Sequence, residues 1–169
     1  MSQQIYLDHA ATTPVAAQAL EAMIPYCRKL YGNPSSSYAL AQDSRQAVEE
    51  ARDVIAGAIG AKSHEIYFTA GGTESDNWAV KMSVFMQKQD GEAKPNASEK
   101  KHLITTKIEH HAILHACEWM EQQGYEVTYL DVDENGLVDP ADVEKAIRED
   151  TILVSIMYAN NEIGSIQPI

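Results

Sequence analysis

Cysteines and basic residues are scarce in this chain, and each scarcity excludes a class of protein. Only two cysteines, Cys27 and Cys117, occur in 169 residues, too few for the disulfide framework of a small secreted domain. Both fall on apolar helix faces, where thiols are usually buried and inert. The 13 basic residues are outnumbered by 25 acidic ones, for a net charge of −12. We therefore expect no nucleic acid and no anionic membrane surface as a partner.

Long apolar runs are also missing. No window approaches the roughly 18 apolar residues of a transmembrane helix. The first residues lack the basic and apolar regions of a signal peptide. These two features predict a cytoplasmic protein that no membrane holds.

What the chain does contain is an ordinary globular composition, with 44% hydrophobic and 22% charged residues. Its length favours a single domain. Helical and strand patterns alternate, which predicts an α/β fold with a parallel or mostly parallel sheet flanked by helices. The predicted helices lie near residues 14–30, 47–59, 78–86, 113–123 and 140–150. The predicted strands lie near residues 66–69, 103–105, 126–130 and 152–157. Residues 89–101 are predicted to form a polar surface loop.

Local signals set the ends of several helices. Thr13 followed by Pro14 predicts an N-cap and a first helical position. Gly60 predicts the end of the second helix. Asp139 followed by Pro140 predicts the start of the last, short helix.

The last predicted strand, residues 152–157, is a continuous apolar run, which is typical of a strand buried on both faces. Ligand sites in open α/β sheets lie beyond the carboxyl ends of the strands, yet this chain ends soon afterwards at Ile169. We therefore hypothesise that residues 1–169 are the N-terminal part of a longer protein.

A glycine-rich segment, residues 69–75, runs from a predicted strand into a helix. Backbone N–H groups at a helix start, together with the helix dipole, bind phosphate well. The hydroxyl of Thr73 can add a charge-assisted hydrogen bond. The segment equally fits a tight strand–helix turn with Thr73 as the N-cap, and the pattern alone leaves both interpretations open.

Histidines cluster after the strand at residues 103–105. A histidine at the end of an α/β strand is well placed for acid–base catalysis or ring stacking, and spacing does not choose between His110 and His111. His111 and His115 lie one helical turn apart, as in some metal sites, but a third ligand is missing. Surface histidines near a helix N-terminus remain the alternative.

Two short polar segments complete the candidates. Residues 160–164 follow the last strand, where amide side chains can orient a ligand, although the segment taken alone favours asparagines in a turn. Residues 131–136 copy the first half of a calcium loop. Asp142 stands where that loop needs a glutamate, and Pro140 interrupts it, so we interpret this segment as a turn.

Together these segments resemble the cysteine desulfurase family, within the class V aminotransferase-like, fold-type I enzymes that use pyridoxal 5′-phosphate (PLP). The resemblance implies that residues 1–169 comprise an N-terminal segment and the first part of the PLP-binding large domain, which is incomplete without the C-terminal remainder. The matching motifs are IYLDHAATTP (5–14), GNPSS (32–36), FTAGGTESDN (68–77), IEHHA (108–112) and NNEIG (160–164).

The resemblance also implies roles for individual residues. Gly72 and Thr73 match the positions that hold the cofactor phosphate. His110, rather than His111, matches the histidine that stacks on the pyridine ring and takes part in proton transfer. Asn161 matches an asparagine that lies near the ring hydroxyl and the substrate carboxylate.

Two further segments match the substrate side of such sites. Asn33 matches a residue that lines the substrate pocket, and residues 9–12 match a segment at the edge of the active site. The Schiff-base lysine and the nucleophilic cysteine of the family lie beyond the position that matches Ile169. The resemblance therefore implies that this chain alone is inactive.

Family members convert L-cysteine to L-alanine and pass the sulfur to an enzyme persulfide. The sulfur then goes to an acceptor, for example a scaffold protein of iron–sulfur cluster biogenesis. The implied partners are thus L-cysteine, a homodimer mate or complementing C-terminal chain, and a sulfur acceptor. The alternatives are a non-catalytic half-enzyme acting as an interaction module, and a selenocysteine lyase or another class V enzyme.

Overall fold

A computed structural model describes residues 5–86 and 101–169. The chain divides into two compact units, Met1–Phe68 and Thr69–Ile169. Its length, by contrast, favours a single domain. Most of the surface loop predicted over residues 89–101 lies outside the described residues. Among the described helices, none has the length and apolar character needed to span a membrane.

The first unit contains two helices, α1 (Ala17–Arg28) and α2 (Ala39–Ile59), and a 3-10 turn at Ser63–Glu65. The predicted start of α1 at Thr13 and Pro14 is wrong. The backbone of Ala16 is still extended, and the helix begins at Ala17. The predicted end of α2 is confirmed. Gly60 adopts a left-handed conformation with φ of 70°, which glycine reaches without a Cβ penalty.

The strand predicted near residues 66–69 does not form. This segment is extended but pairs with no other strand among the described residues. The Arg52 side chain of α2 donates to the Ile66 carbonyl and lies 4.9 Å from the centre of the Phe68 ring. A helix side chain therefore satisfies the backbone here in place of a neighbouring strand.

The second unit is built on a three-stranded sheet. Its strands are β1 (His102–Thr106), β2 (Glu126–Leu130) and β3 (Thr151–Ser155), in the order β2-β1-β3. Both pairings are parallel, which confirms the predicted α/β class. β1 lies in the centre and is buried throughout.

Helices cover both faces of this sheet. They are α3 (Gly72–Met86), α4 (His111–Gln122) and α5 (Pro140–Ala146). Leu103 of β1 packs with side chains of α3 and α4, whereas the next residue, Ile104, packs with Val138 and residues of α5 on the opposite face. This alternation follows from the two-residue period of a strand.

Two predictions near the C-terminus need correction. α5 begins at Pro140 with Asp139 as its N-cap, as expected, but ends at Ala146 rather than near residue 150. β3 is not buried on both faces, because it pairs only with β1 among the described strands and Val154 is 40% exposed. An apolar run thus forms an edge strand in this structure.

Candidate active site

The loops that follow β1 and β3 meet at the carboxyl end of the sheet. Because these strands are parallel neighbours, their carboxyl ends lie at the same edge. Residues 107–111 of the first loop and 160–163 of the second line one cavity of about 260 Å³. The structure therefore brings together His110 and Asn161, two residues that sequence analysis selected separately.

His110 serves as the N-cap of α4. Its Nδ1 accepts the backbone N–H of Ala112 at 3.1 Å. A nitrogen that accepts a hydrogen bond carries no proton, so the neutral imidazole holds its proton on Nε2. The exposed ring thus has a defined tautomer in its neutral form.

Glu109 is a buried carboxylate beside His110 that sequence analysis gave no role. Its Oε1 accepts the Thr106 hydroxyl at 3.0 Å and the Met157 N–H at 2.7 Å. Burial raises the pKa of Glu109, the two hydrogen bonds oppose this, and the Asp76 carboxylate of α3 adds to the rise. Asp76 lies in the second turn of α3, so the start of that helix lies close to this end of β1.

Asn160 has the corresponding position in the second loop. It is buried, and its amide nitrogen donates to the Ile108 carbonyl at 2.9 Å. Its Oδ1 accepts the N–H groups of Glu162 and Ile163 at 2.9 and 3.0 Å. This side chain therefore shapes the turn that carries the exposed Asn161. Glu109 precedes His110 and Asn160 precedes Asn161 in the sequence. Sequence analysis missed the roles of Glu109 and Asn160 because a local motif does not show which polar residues are buried.

The glycine-rich segment forms a second concave surface, where α3 begins. Residues 70–74 and Asn77 line a cavity of about 530 Å³. The helix starts at Gly72, so Thr73 lies inside the first turn, and its predicted role as an N-cap is wrong. The Glu74 carboxylate accepts the Ala70 N–H at 2.6 Å.

This helix start suits an anion. Within the described residues, the N–H groups of Gly72 and Thr73 donate to no acceptor. A Cβ placed on Gly71 or Gly72 would meet no atom within 4 Å, so the surface beside these two glycines is uncrowded. Free N–H groups and the positive end of the dipole together favour a phosphate.

The profile of the family described as aminotransferase class-V matches residues 5–169. The chain belongs to this family. It is 53% identical over 168 residues to the cysteine desulfurase IscS of Methanosarcina thermophila, covering 99% of this chain and 39% of that protein. The chain thus spans about two fifths of the length of the curated relatives it matches.

Solved structures agree with this assignment. A NifS-like protein superposes with a TM-score of 0.89 at 39% identity, over 98% of this chain and 43% of that one. The protein SspA, solved in complex with cysteine, gives a TM-score of 0.87 at 41% identity, over 96% and 44%. The resemblance to cysteine desulfurases is confirmed, and the fold is part of that of a PLP-dependent class-V aminotransferase.

Members of this class-V aminotransferase family depend on PLP, and the residues present fit part of that cofactor. Its phosphate can accept hydrogen bonds from the N–H groups of Gly72 and Thr73. Its flat ring can stack on an exposed imidazole such as that of His110. Asn161 adds a neutral polar side chain in the same cavity as His110.

Asn33 belongs to the other compact unit, so its role beside His110 stays a prediction. Its side chain closes a local turn by accepting the Ser35 N–H at 3.0 Å. Arg45 holds the same loop by donating to the carbonyls of Pro34 and Ser36 at 2.8 and 2.7 Å. Residues 9–12 belong to that unit as well.

The remaining candidates take other roles. His111 and His115 stack with ring centres 5.5 Å apart, and the described residues contain no cluster of three metal-ligating side chains. The Asp133 carboxylate accepts the N–H groups of Asn135 and Leu137 at 2.9 and 2.8 Å, which supports a turn at residues 131–136.

The two thiols differ in their surroundings. Cys117 is buried as expected, and burial raises its pKa to about 11, which keeps the thiol protonated and unreactive at neutral pH. Cys27 is exposed, so the expectation of a buried thiol is wrong there. The reason is that α1 buries none of its residues.

Proposed function

We propose that this chain is the N-terminal part of a PLP-dependent cysteine desulfurase, which converts L-cysteine to L-alanine and passes the sulfur through an enzyme persulfide to an acceptor. The observation that carries this proposal is the shared cavity of His110 and Asn161 at the carboxyl end of β1 and β3. The similarity to proteins named cysteine desulfurase supports the substrate.

Each site residue has a distinct task in this proposal. Gly72 and Thr73 hold the cofactor phosphate, and His110 stacks on the ring and moves a proton through Nε2. Asn161 orients the ring hydroxyl and the substrate carboxylate, and Asn33 lines the substrate side. PLP, when bound, supplies an electron sink for carbanion chemistry.

The chain alone is proposed to be inactive. The resemblance implies that the family's Schiff-base lysine and nucleophilic cysteine lie beyond the position that matches Ile169. The 39% share of the IscS relative that this chain covers supports this proposal. A cofactor without its lysine loses its covalent tether, so turnover needs a complementing C-terminal segment or chain.

An intact-mass spectrum of the protein purified from its own source, combined with an assay of alanine release from L-cysteine, tests both statements. We expect desulfurase activity only where a second polypeptide or a longer product accompanies the 18.7 kDa chain. Turnover by the 18.7 kDa chain alone would refute its inactivity. A complete protein that turned over only selenocysteine would refute the substrate assignment.

A non-catalytic interaction module is the second candidate, and one observation favours it. The edge strand β3 adjoins an apolar groove of about 420 Å³, lined in part by Val143, Ile147, Val154 and Ile156. Titrating the chain with a full-length desulfurase, followed by light scattering, separates the two functions. A stable complex that leaves the partner's activity unchanged favours the module.

A further inference from the structure

The two loops of the candidate active site are linked by a reciprocal pair of buried side chains. Glu109, in the loop after β1, accepts a backbone N–H from the loop after β3. Asn160, in the loop after β3, donates to a backbone carbonyl of the loop after β1. Each loop thus sends one polar side chain to the backbone of the other. We call Glu109 and Asn160 the loop clamp.

The loop clamp has the same relation to the site in both loops. Glu109 directly precedes His110, and Asn160 directly precedes Asn161. In each pair the first residue is buried and the second is exposed. Buried polar side chains that are hydrogen-bonded to backbone groups hold their positions firmly. Breaking such a hydrogen bond would leave unsatisfied polar groups away from water.

We propose that Glu109 and Asn160 are positioning residues that set the separation and orientation of His110 and Asn161 across the cavity. Neither is proposed as a catalytic residue. Glu109 Oε1 accepts the Met157 N–H and the Thr106 hydroxyl. Asn160 Nδ2 donates to the Ile108 carbonyl and lies 3.4 Å from the Met157 sulfur. The inference rests on the proposed function insofar as His110 and Asn161 contact PLP.

The first test measures amide hydrogen exchange and PLP binding by equilibrium dialysis, using the full chain. Glu109→Ala removes the acceptor of the Met157 N–H. We expect faster exchange in residues 157–163, on the opposite loop, and PLP binding weakened about ten-fold. Asn160→Ala removes the acceptor of the Glu162 and Ile163 N–H groups and the donor to the Ile108 carbonyl. We expect faster exchange at residues 162–163 and, because the opposite loop is released, in residues 107–112 as well, with a similar loss of binding.

Two variants separate positioning from charge and from general destabilisation. Glu109→Gln keeps the Oε1 acceptor, so we expect exchange and PLP binding within about two-fold of the parent chain. Glu118→Ala removes an exposed glutamate of α4 and should change neither measurement. Exchange in residues 126–130 of β2, away from the clamp, reports whether the sheet persists in every variant.

The outcomes decide the clamp and the proposed function separately. If Glu109→Ala leaves exchange in residues 157–163 unchanged, or if Glu109→Gln is as damaging as the alanine variant, the clamp is refuted. Unchanged PLP affinity in both alanine variants also refutes it. If the parent chain does not bind PLP, the proposed role of the site fails, and the exchange results alone decide whether the loops are clamped.

Discussion

Helices α1 and α4 each have 12 residues and an apolar stripe, yet α1 is exposed and α4 is packed into the core. α1 buries none of its residues in the described structure. α4 buries five, namely Ala112, Ile113, Ala116, Cys117 and Met120. The difference lies in the neighbours, because α4 packs against α3 and the sheet, whereas the first unit has no sheet of its own among the described residues.

The two units show the same contrast as their helices. Between residues 5 and 68 only a few small residues, among them Ala41 and Ala56, are buried. In the second unit the central strand β1 is buried throughout. The comparison shows that an apolar stripe marks a surface capable of burial, and that only a partner converts it into a core.

The largest expected effect sharpens this contrast with one substitution in each helix. Met120 of α4 is 0% exposed and Met23 of α1 is 55% exposed. Met120→Ala should lower the free energy of unfolding by about 2–5 kcal/mol, because it removes packed atoms and leaves a cavity. Met23→Ala should change it by less than about 0.5 kcal/mol. Urea unfolding followed by circular dichroism measures both. Equal losses would mean that α1 is packed as tightly as α4, which would contradict the exposure of α1 in this structure.

A smaller effect concerns the helix starts. α4 is capped by His110, whereas Ala16 at the start of α1 makes no side-chain cap. His110→Ala should cost about 0.5–2 kcal/mol of unfolding free energy, and Ala16→Ser should add up to about 1 kcal/mol.

His110→Asn separates the cap from the chemistry. Asparagine can accept the same N–H, so unfolding free energy should stay close to that of the parent chain, while the ring and its proton are lost. In the complete enzyme we expect this variant to lose about 10²–10⁴-fold in rate. Full activity of His110→Asn would exclude His110 as the proton-transfer residue.

The smallest expected effect appears with pH in the second unit. His102 is buried, and its two ring nitrogens lie 2.8 Å from the hydroxyls of Thr151 and Thr128. Burial lowers its pKa below 6.5, as does Arg148, although nearby Asp150 and Glu126 oppose the shift. The unfolded chain then binds the proton more tightly, so stability falls as pH drops below about 6.5.

Both threonine hydroxyls can rotate to accept from a protonated ring, which keeps this loss shallow. Urea unfolding between about pH 7.5 and 5.5 measures it. His102→Gln should flatten the decline, and His64→Gln, which alters an exposed histidine of the first unit, should leave it unchanged. An equal slope in the His102 variant would assign the pH dependence to other groups.

Several elements of the second unit could be predicted from local patterns. The bounds of β2 match the alternating residues 126–130, and Asp139 caps α5 as its position before Pro140 indicated. Segment 66–69 has the composition of a strand, but strand formation also needs a neighbour with free backbone groups. Among the described residues Arg52 supplies the bond instead.

The candidate site divides in the same way. Gly72, Thr73, His110 and Asn161 stand in motifs, so their chemistry is visible in the order of residues. The clamp formed by Glu109 and Asn160 joins segments about 50 positions apart. Such a pairing leaves no local pattern, because each partner looks like an ordinary polar loop residue.

Residue order alone settled the α/β class, the type of most elements and the family to which the chain belongs, since periodicity, caps and motifs act within short segments. Tertiary structure decided which apolar stripes are buried, that β3 lies at a sheet edge, and which side chains hold the two loops together. Those outcomes depend on contacts between segments that are distant along the chain, and burial and hydrogen-bond energies arise only when such segments meet.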